Sequence, residues 1–114
     1  MAGTLTIGGT QTGLPEGSKV YTFSLTMGSS GQTTDIALAS GANTITVPAT
    51  AVGCFIVPPS ANTVSITLKG ITGDTGVALS PSSVTMLTFP TSPPANFVLT
   101  AGSAISAITE IVFF

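Results

Sequence analysis

The chain has almost no charge. Of its 114 residues only Glu16, Lys19, Asp35, Lys69, Asp74 and Glu110 are ionic, 5% of the sequence, where an ordinary domain carries about 25%. No block of Lys or Arg is present to hold the phosphates of a nucleic acid or an anionic membrane, so neither is expected as a partner. Histidine and tryptophan are absent, and Cys54 is the single cysteine. One cysteine closes no internal disulfide, and without histidine the three or four ligands of a zinc site are missing. No run approaches the roughly 18 apolar residues of a membrane span. The first twenty residues, MAGTLTIGGTQTGLPEGSKV, have neither the basic start nor the apolar stretch of a secretory signal, so the protein is expected to be made and used without export.

The same scarcity excludes most catalysis. A serine nucleophile needs a base, and neither Lys19 nor Lys69 stands in a Ser-Lys motif. Glycoside hydrolysis needs two carboxylates facing across a cleft, but Glu16, Asp35, Asp74 and Glu110 fall beside turn residues or on the polar side of strand-like segments. Gly70-Ile71-Thr72-Gly73-Asp74-Thr75-Gly76 is glycine-rich, yet it lacks the Gly-Lys-Ser/Thr ending of a phosphate loop and reads as a β-turn. One Asp between glycines is too few oxygens for calcium. Cys54 lies inside an apolar run and reads as a small buried hydrophobe rather than a reactive thiol. The expectation is a protein that is not an enzyme and takes no cofactor, metal or small-molecule substrate.

What the chain does have is 20 Thr and 13 Ser, small hydroxyl residues that suit a pleated surface and bond to backbone in turns. Apolar residues alternate with them at the strand period of two. In Tyr21–Met27, Tyr21, Phe23, Leu25 and Met27 fall on one side and Thr22, Ser24 and Thr26 on the other. In Thr63–Lys69, Val64, Ile66 and Leu68 alternate with Thr63, Ser65, Thr67 and Lys69. Leu5 with Ile7, Ile36 with Leu38 and Ile45 with Val47 are shorter versions. VGCFIV, Val52 to Val57, is apolar at every position and is stopped by Pro58-Pro59, as in a strand covered on both sides. Turn signals recur at Gly8-Gly9, Gly28-Ser29-Ser30-Gly31, Ser40-Gly41-Ala42-Asn43, Pro58-Pro59-Ser60, Gly73-Asp74-Thr75-Gly76 and Ser92-Pro93-Pro94. Punctuation every eight to twelve residues predicts an all-β domain, a small antiparallel sandwich or jelly-roll-like barrel of about eight to ten short strands. Ala101–Thr109 has room for a helical turn at most. A single domain spans 1–114, with residues 1–18 as a possible N-terminal arm and Gly8–Gly17 as a candidate hinge for exchange between subunits.

Burying an unpaired charge costs several kcal/mol, whereas a hydroxyl that finds a partner costs little. A Ser/Thr exterior therefore suits protein contacts, and the chain is expected to associate with itself as a homo-oligomer. Leu5 and Ile7 near one end, with Ile111, Val112, Phe113 and Phe114 at the other, are the candidate contact residues.

Asn43-Thr44-Ile45-Thr46-Val47-Pro48, then Phe55 to Gly70 reading FIVPPSANTVSITLKG, then GDTGVALSP from Gly73 to Pro81, and the strand-like ending form a pattern that covers most of the chain. It resembles small β-rich proteins encoded among the structural genes of tailed bacteriophages. The resemblance carries no catalytic motif. It implies a virion protein assembled in the host cytoplasm, with capsid decoration or cementing as the first role. The partners would be further copies and the major capsid protein or another virion protein. A receptor- or carbohydrate-binding module at a tail or fibre tip is the alternative, weakened because the only tyrosine, Tyr21, belongs to an inward-facing set.

Overall fold

A computed structural model describes residues 4–15, 17–26 and 31–114, with the backbone alone for Leu5, Ile7, Leu14, Ser18, Lys19, Tyr21, Phe23 and Leu25. The described residues form ten strands and no helix: β1 (Thr4–Leu14), β2 (Gly17–Thr26), β3 (Thr33–Ile36), β4 (Gly41–Thr46), β5 (Gly53–Val57), β6 (Ile66–Lys69), β7 (Val77–Leu79), β8 (Thr85–Thr88), β9 (Asn96–Ala101) and β10 (Thr109–Phe113). The last eight make two antiparallel four-stranded sheets, ordered β3-β10-β5-β8 and β4-β9-β6-β7. β1 and β2 form a separate antiparallel ribbon.

The sheet orders follow from one long antiparallel ribbon folded over itself. The first half of the sandwich runs β3-β4-β5-β6 and the second returns β7-β8-β9-β10, pairing β6 with β7, β5 with β8, β4 with β9 and β3 with β10. Two further pairings, β10 with β5 and β9 with β6, close each sheet. This is the winding of an eight-stranded jelly roll. The two sheets form a sandwich with free edges and not a closed barrel.

The ribbon turns at Gly70–Gly76, and local chemistry fixes that turn. The Asp74 carboxylate accepts hydrogen bonds from the backbone N–H groups of Gly70 and Ile71, each at 3.1 Å. Gly76 has φ +78°, and a Cβ there would sit 2.6 Å from the Leu68 carbonyl oxygen, so only glycine fits. The glycine-rich loop that reads as a β-turn is the bend of the jelly roll.

Inward positions of both sheets make the core. Ile45, Cys54, Ile56, Ile66, Leu99, Ile111 and Phe113 are all buried together with Leu38 and Ile105. Each such aliphatic or aromatic side chain contributes about 1.5–3 kcal/mol on leaving water. Asn43 is the polar tie of this core: its side-chain amide donates to the carbonyls of Ala39, Gly41 and Leu99 and its carbonyl oxygen accepts from the Ala39 N–H. Ala101–Thr109 forms no helical turn; Ile105 instead donates its backbone N–H to the Leu38 carbonyl at 2.8 Å. Phe114 is clamped to β5, donating to the Gly53 carbonyl while its own carbonyl accepts from Val52 and Gly53.

The β1–β2 ribbon differs from the sandwich at every described residue. All of them are exposed, including the consecutive run Gly8–Gly13, so this stretch is open to solvent on both faces. Gln11 pairs with Lys19 and Leu14 with Gly17, an offset of one residue that marks a β-bulge, with Gly13 at φ 78° and Gly17 at φ 102°. A compact chain of this length has a radius of gyration of about 13 Å, whereas here it is 15.6 Å, within extents of 44 × 36 × 25 Å. Residues 1–18, expected as an arm, hold β1 and the start of β2, and the ribbon continues to Thr26. Gly8–Leu14 is strand, not a hinge linker.

Candidate functional site

The two outer faces of the sandwich carry different chemistry. On the β4-β9-β6-β7 sheet, Thr44 stands beside Val98 and Val98 beside Lys69, while Ala42, Thr100, Thr67 and Ala78 form the neighbouring row. That surface is hydroxyl and methyl with one ammonium, exposed at Thr44, Ala42 and Ala78 but closed at its middle, where Val98 is 3% exposed and the Thr100 hydroxyl is buried. On the β3-β10-β5-β8 sheet, Met86 stands opposite Phe55, Phe55 opposite Val112, and Val112 opposite Thr33. Phe55, Val57 and Val112 are half-buried and Met86 is 36% exposed. None of the four belongs to the core or packs against it, so this row forms the outside of the sheet. The Phe55 and Phe114 rings lie 5.3 Å apart with their planes tilted by 47°.

The next row on the same face is acidic. Glu110 stands between Val57 on β5 and Asp35 on β3, directly opposite each. Both carboxylates are exposed, and like charges opposite one another across two strands destabilise the pair. The face therefore presents an apolar row from β8 to β10 with paired carboxylates beside it at the β10–β3 border.

A second feature lies on the β7/β8 side, where two sheet edges are open. A cleft of about 610 Å³ runs between β6–β7 and β8, lined by Leu68, Val77, Leu87, Phe89 and Phe97 with Lys69 at its margin. Ile71, Val77, Val84 and Met86 are exposed along this flank. Asp74 also lines the cleft, but its carboxylate is held by the two backbone donors of the Gly70–Gly76 turn. The cleft thus offers apolar area and one ammonium.

Cys54 is fully buried among core residues, and burial pushes its thiol up to about 12, far from the range of a nucleophilic thiolate. Among the described residues, no group of three or more His, Cys, Asp or Glu is placed to hold a metal ion. No helix of the described chain is long and apolar enough to cross a membrane.

The contact residues expected from sequence separate into three groups. Ile111, Phe113 and Phe114 are 0%, 1% and 3% exposed and belong to the interior of this chain, which leaves them no surface for a partner. Val112 alone of that segment is half-buried on the outer face, in the row with Phe55 and Met86. Leu5 and Ile7 occupy β1, in register with Leu25 and Phe23, and their side chains lie outside the described residues. Phe55, Val57, Met86, Asp35 and Glu110 were missed as a surface. Only the unbroken apolar run of β5 signals it, because a strand with one solvated face alternates and this one does not.

No protein-family model, curated protein or solved structure matches the chain.

Proposed function

We propose that the chain is a non-catalytic assembly protein that works by packing against further copies and a larger shell, in its most specific form a capsid decoration or cement protein of a tailed bacteriophage. The observation that carries this reading is the outer face of the β3-β10-β5-β8 sheet, which is apolar at Phe55, Val57, Met86 and Val112 where a solvated sandwich is polar. The near absence of charge over the whole chain supports it, since such a surface is desolvated at little cost. The jelly-roll winding occurs widely in viral capsid and lectin domains, which agrees with the reading at the level of fold analogy alone. The mechanism is mechanical: copies seated at junctions between shell subunits oppose expansion by adding interface, and repetition over the shell multiplies weak contacts.

The tail-tip alternative rests on no comparable feature. Among the described residues the aromatic rings that reach the surface, Phe55 and Phe89, are only half-buried and neither is a tyrosine or tryptophan. The test compares shells carrying the protein with shells lacking it under heat and osmotic shock, alongside the copy number per particle. Loss of survival without the protein, at tens to hundreds of copies, is the expected result. Equal survival sinks the cement role, and a handful of copies per particle moves the assignment to the tail.

A further inference from the structure

We propose that a second copy of the chain joins the open edge of β8, antiparallel and about a twofold axis at Met86, so that two β3-β10-β5-β8 sheets become one continuous sheet. The inference rests on the self-association in the proposed function and names the edge through which it occurs. Three observations carry it.

The first is the backbone of β8. Gly53 and Phe114 exchange two backbone hydrogen bonds, at 3.1 and 3.3 Å, so Gly53 turns its N–H and C=O to the β10 side of β5. That direction alternates along an antiparallel strand. Cys54 and Ile56 therefore turn theirs to β8, where they stand opposite Leu87 and Thr85. Met86 and Thr88, at the alternate positions, point their N–H and C=O away from β5. β8 ends its sheet, and among the described residues no strand pairs with that side.

The second is that nothing guards this edge. An open edge is a template for another strand, and proteins blunt it with charge, proline or a bulge. The β3 edge of the same sheet carries the exposed Asp35. β8 reads Thr-Met-Leu-Thr, and no ionic residue occurs between Asp74 and Glu110. A twofold axis sets a residue against its own copy, so any charge here would meet itself. The flank is also apolar. Of the six large hydrophobics exposed among the described residues, Ile71, Val77, Val84 and Met86 lie on this side. The opposite flank presents Ala42, Thr44 and Thr46 along β4.

The third is register. With Met86 opposite itself, the N–H of each copy donates to the Met86 carbonyl of the other, and both outward groups are satisfied at once. The outer row Val112, Phe55, Met86 then continues into Met86, Phe55 and Val112 of the second copy. The same register sets Val84 of each copy beside Thr88 of the other, at the mouth of the cleft lined by Leu68, Val77 and Phe97. An apolar side chain exposed in one copy thus covers apolar surface exposed in the other. A slip of one residue, with Leu87 on the axis, puts Met86 beside Thr88 and breaks the row.

Charge exchange at residue 86 tests this in the full-length chain. Met86→Lys and Met86→Glu are prepared separately, then measured alone and mixed in equal amounts. Met86 lies outside the core cluster, and circular dichroism checks that both variants fold. Each alone is expected to raise the dissociation constant of the dimer roughly tenfold or more, because like charges then stand opposite one another across two strands. The mixture is expected to recover association as a Lys–Glu pair. Amide hydrogen exchange of the wild-type chain decides the same point without a substitution: the Met86 N–H should exchange at least roughly tenfold more slowly in the oligomer than on dilution. Parent affinity in both variants, with free exchange at Met86 in the wild-type oligomer, overturns the β8 contact and leaves the assembly reading standing. Weakening in both with no recovery on mixing sets residue 86 against a different surface and overturns the twofold pairing. A wild-type chain that stays monomeric at every concentration removes self-association and this contact together.

Discussion

The sandwich and the arm are written in the same alternating code and end in opposite situations. β4 reads Gly-Ala-Asn-Thr-Ile-Thr and buries its alternate positions against a second sheet. β2 reads Gly-Ser-Lys-Val-Tyr-Thr-Phe-Ser-Leu-Thr with a longer and cleaner alternation, yet it pairs only with β1. Alternation specifies that a strand has one apolar face; it does not specify which body covers that face. In the sandwich the same chain supplies the cover, and stability and fold are one property. In the arm every side chain described is exposed, so substitutions at those positions are expected to leave folding of the sandwich unchanged.

The largest break in this comparison is at the sandwich core. Phe113 is 1% exposed and lies between β5 and the interior. Phe113→Ala removes a ring from a closed core and is expected to cost about 3–5 kcal/mol, a large share of a small domain's stability. Urea unfolding followed by circular dichroism reads it directly. A loss under 1 kcal/mol means the inner face is less closely packed than its burial indicates.

Alkaline pH gives a break of intermediate size. The Cys54 thiol has its pKa raised by burial from 9.0 to about 12 in the folded chain. Between those values the unfolded chain has lost the proton and the folded chain keeps it, so the unfolded state binds fewer protons and stability falls as pH rises. Below pH 9 both states hold the proton and Cys54 contributes no slope. Above it the decline approaches about 1.4 kcal/mol per pH unit, and Cys54→Ala, though less stable at neutral pH because of the cavity, is expected to lose this slope. A variant as steep as the parent between pH 9 and 11 assigns the alkaline loss to other groups.

Much of the sandwich was readable in advance because its signals are local. Ile66 and Leu68 take the expected inward side of β6, with Val64 just before it packed against the same core, and breaks between strands fall at Pro58-Pro59-Ser60, Gly73–Gly76 and Ser92-Pro93-Pro94. Gly8-Gly9, expected as a turn, lies inside β1, and Gly41 to Asn43 open β4, while Gly28 to Ser30 lie outside the described residues. What could not be read is long-range. Glu110 and Asp35 are 75 positions apart in sequence, and only the β10–β3 register makes them neighbours. The apolar outer row needs residues from β5, β8 and β10 to be aligned, and no window of sequence contains all three. Phe113 and Phe114 drew attention as apolar residues near one end, but the seat of Phe114 needs Gly53, where a Cβ would meet both the Leu87 carbonyl and the Phe114 ring. The absence of side-chain bulk on β5 admits that ring, and a pattern of apolar letters does not register it.

A smaller effect sharpens the comparison from within the core. The Thr109 hydroxyl is fully buried and has no hydrogen-bond partner. Thr109→Val keeps the shape and removes the unpaired oxygen, and a gain of about 1 kcal/mol is expected. No gain would mean that the hydroxyl is satisfied in solution.

The smallest effect belongs to the arm, and its smallness is the point. Val20 is 71% exposed, on the side of the ribbon shared with Thr22, Ser24 and Thr26, and the register places it opposite Thr10. Val20→Thr extends that hydroxyl face by one position and is expected to change unfolding stability by less than about 0.5 kcal/mol. Set beside the several kcal/mol expected for Phe113→Ala, so small a change would show that the described side of the arm contributes nothing that folding of the sandwich requires. A loss of more than about 1 kcal/mol would mean that Val20 is covered in solution, and the hydroxyl side of the ribbon would then be part of the folded body as β4 is.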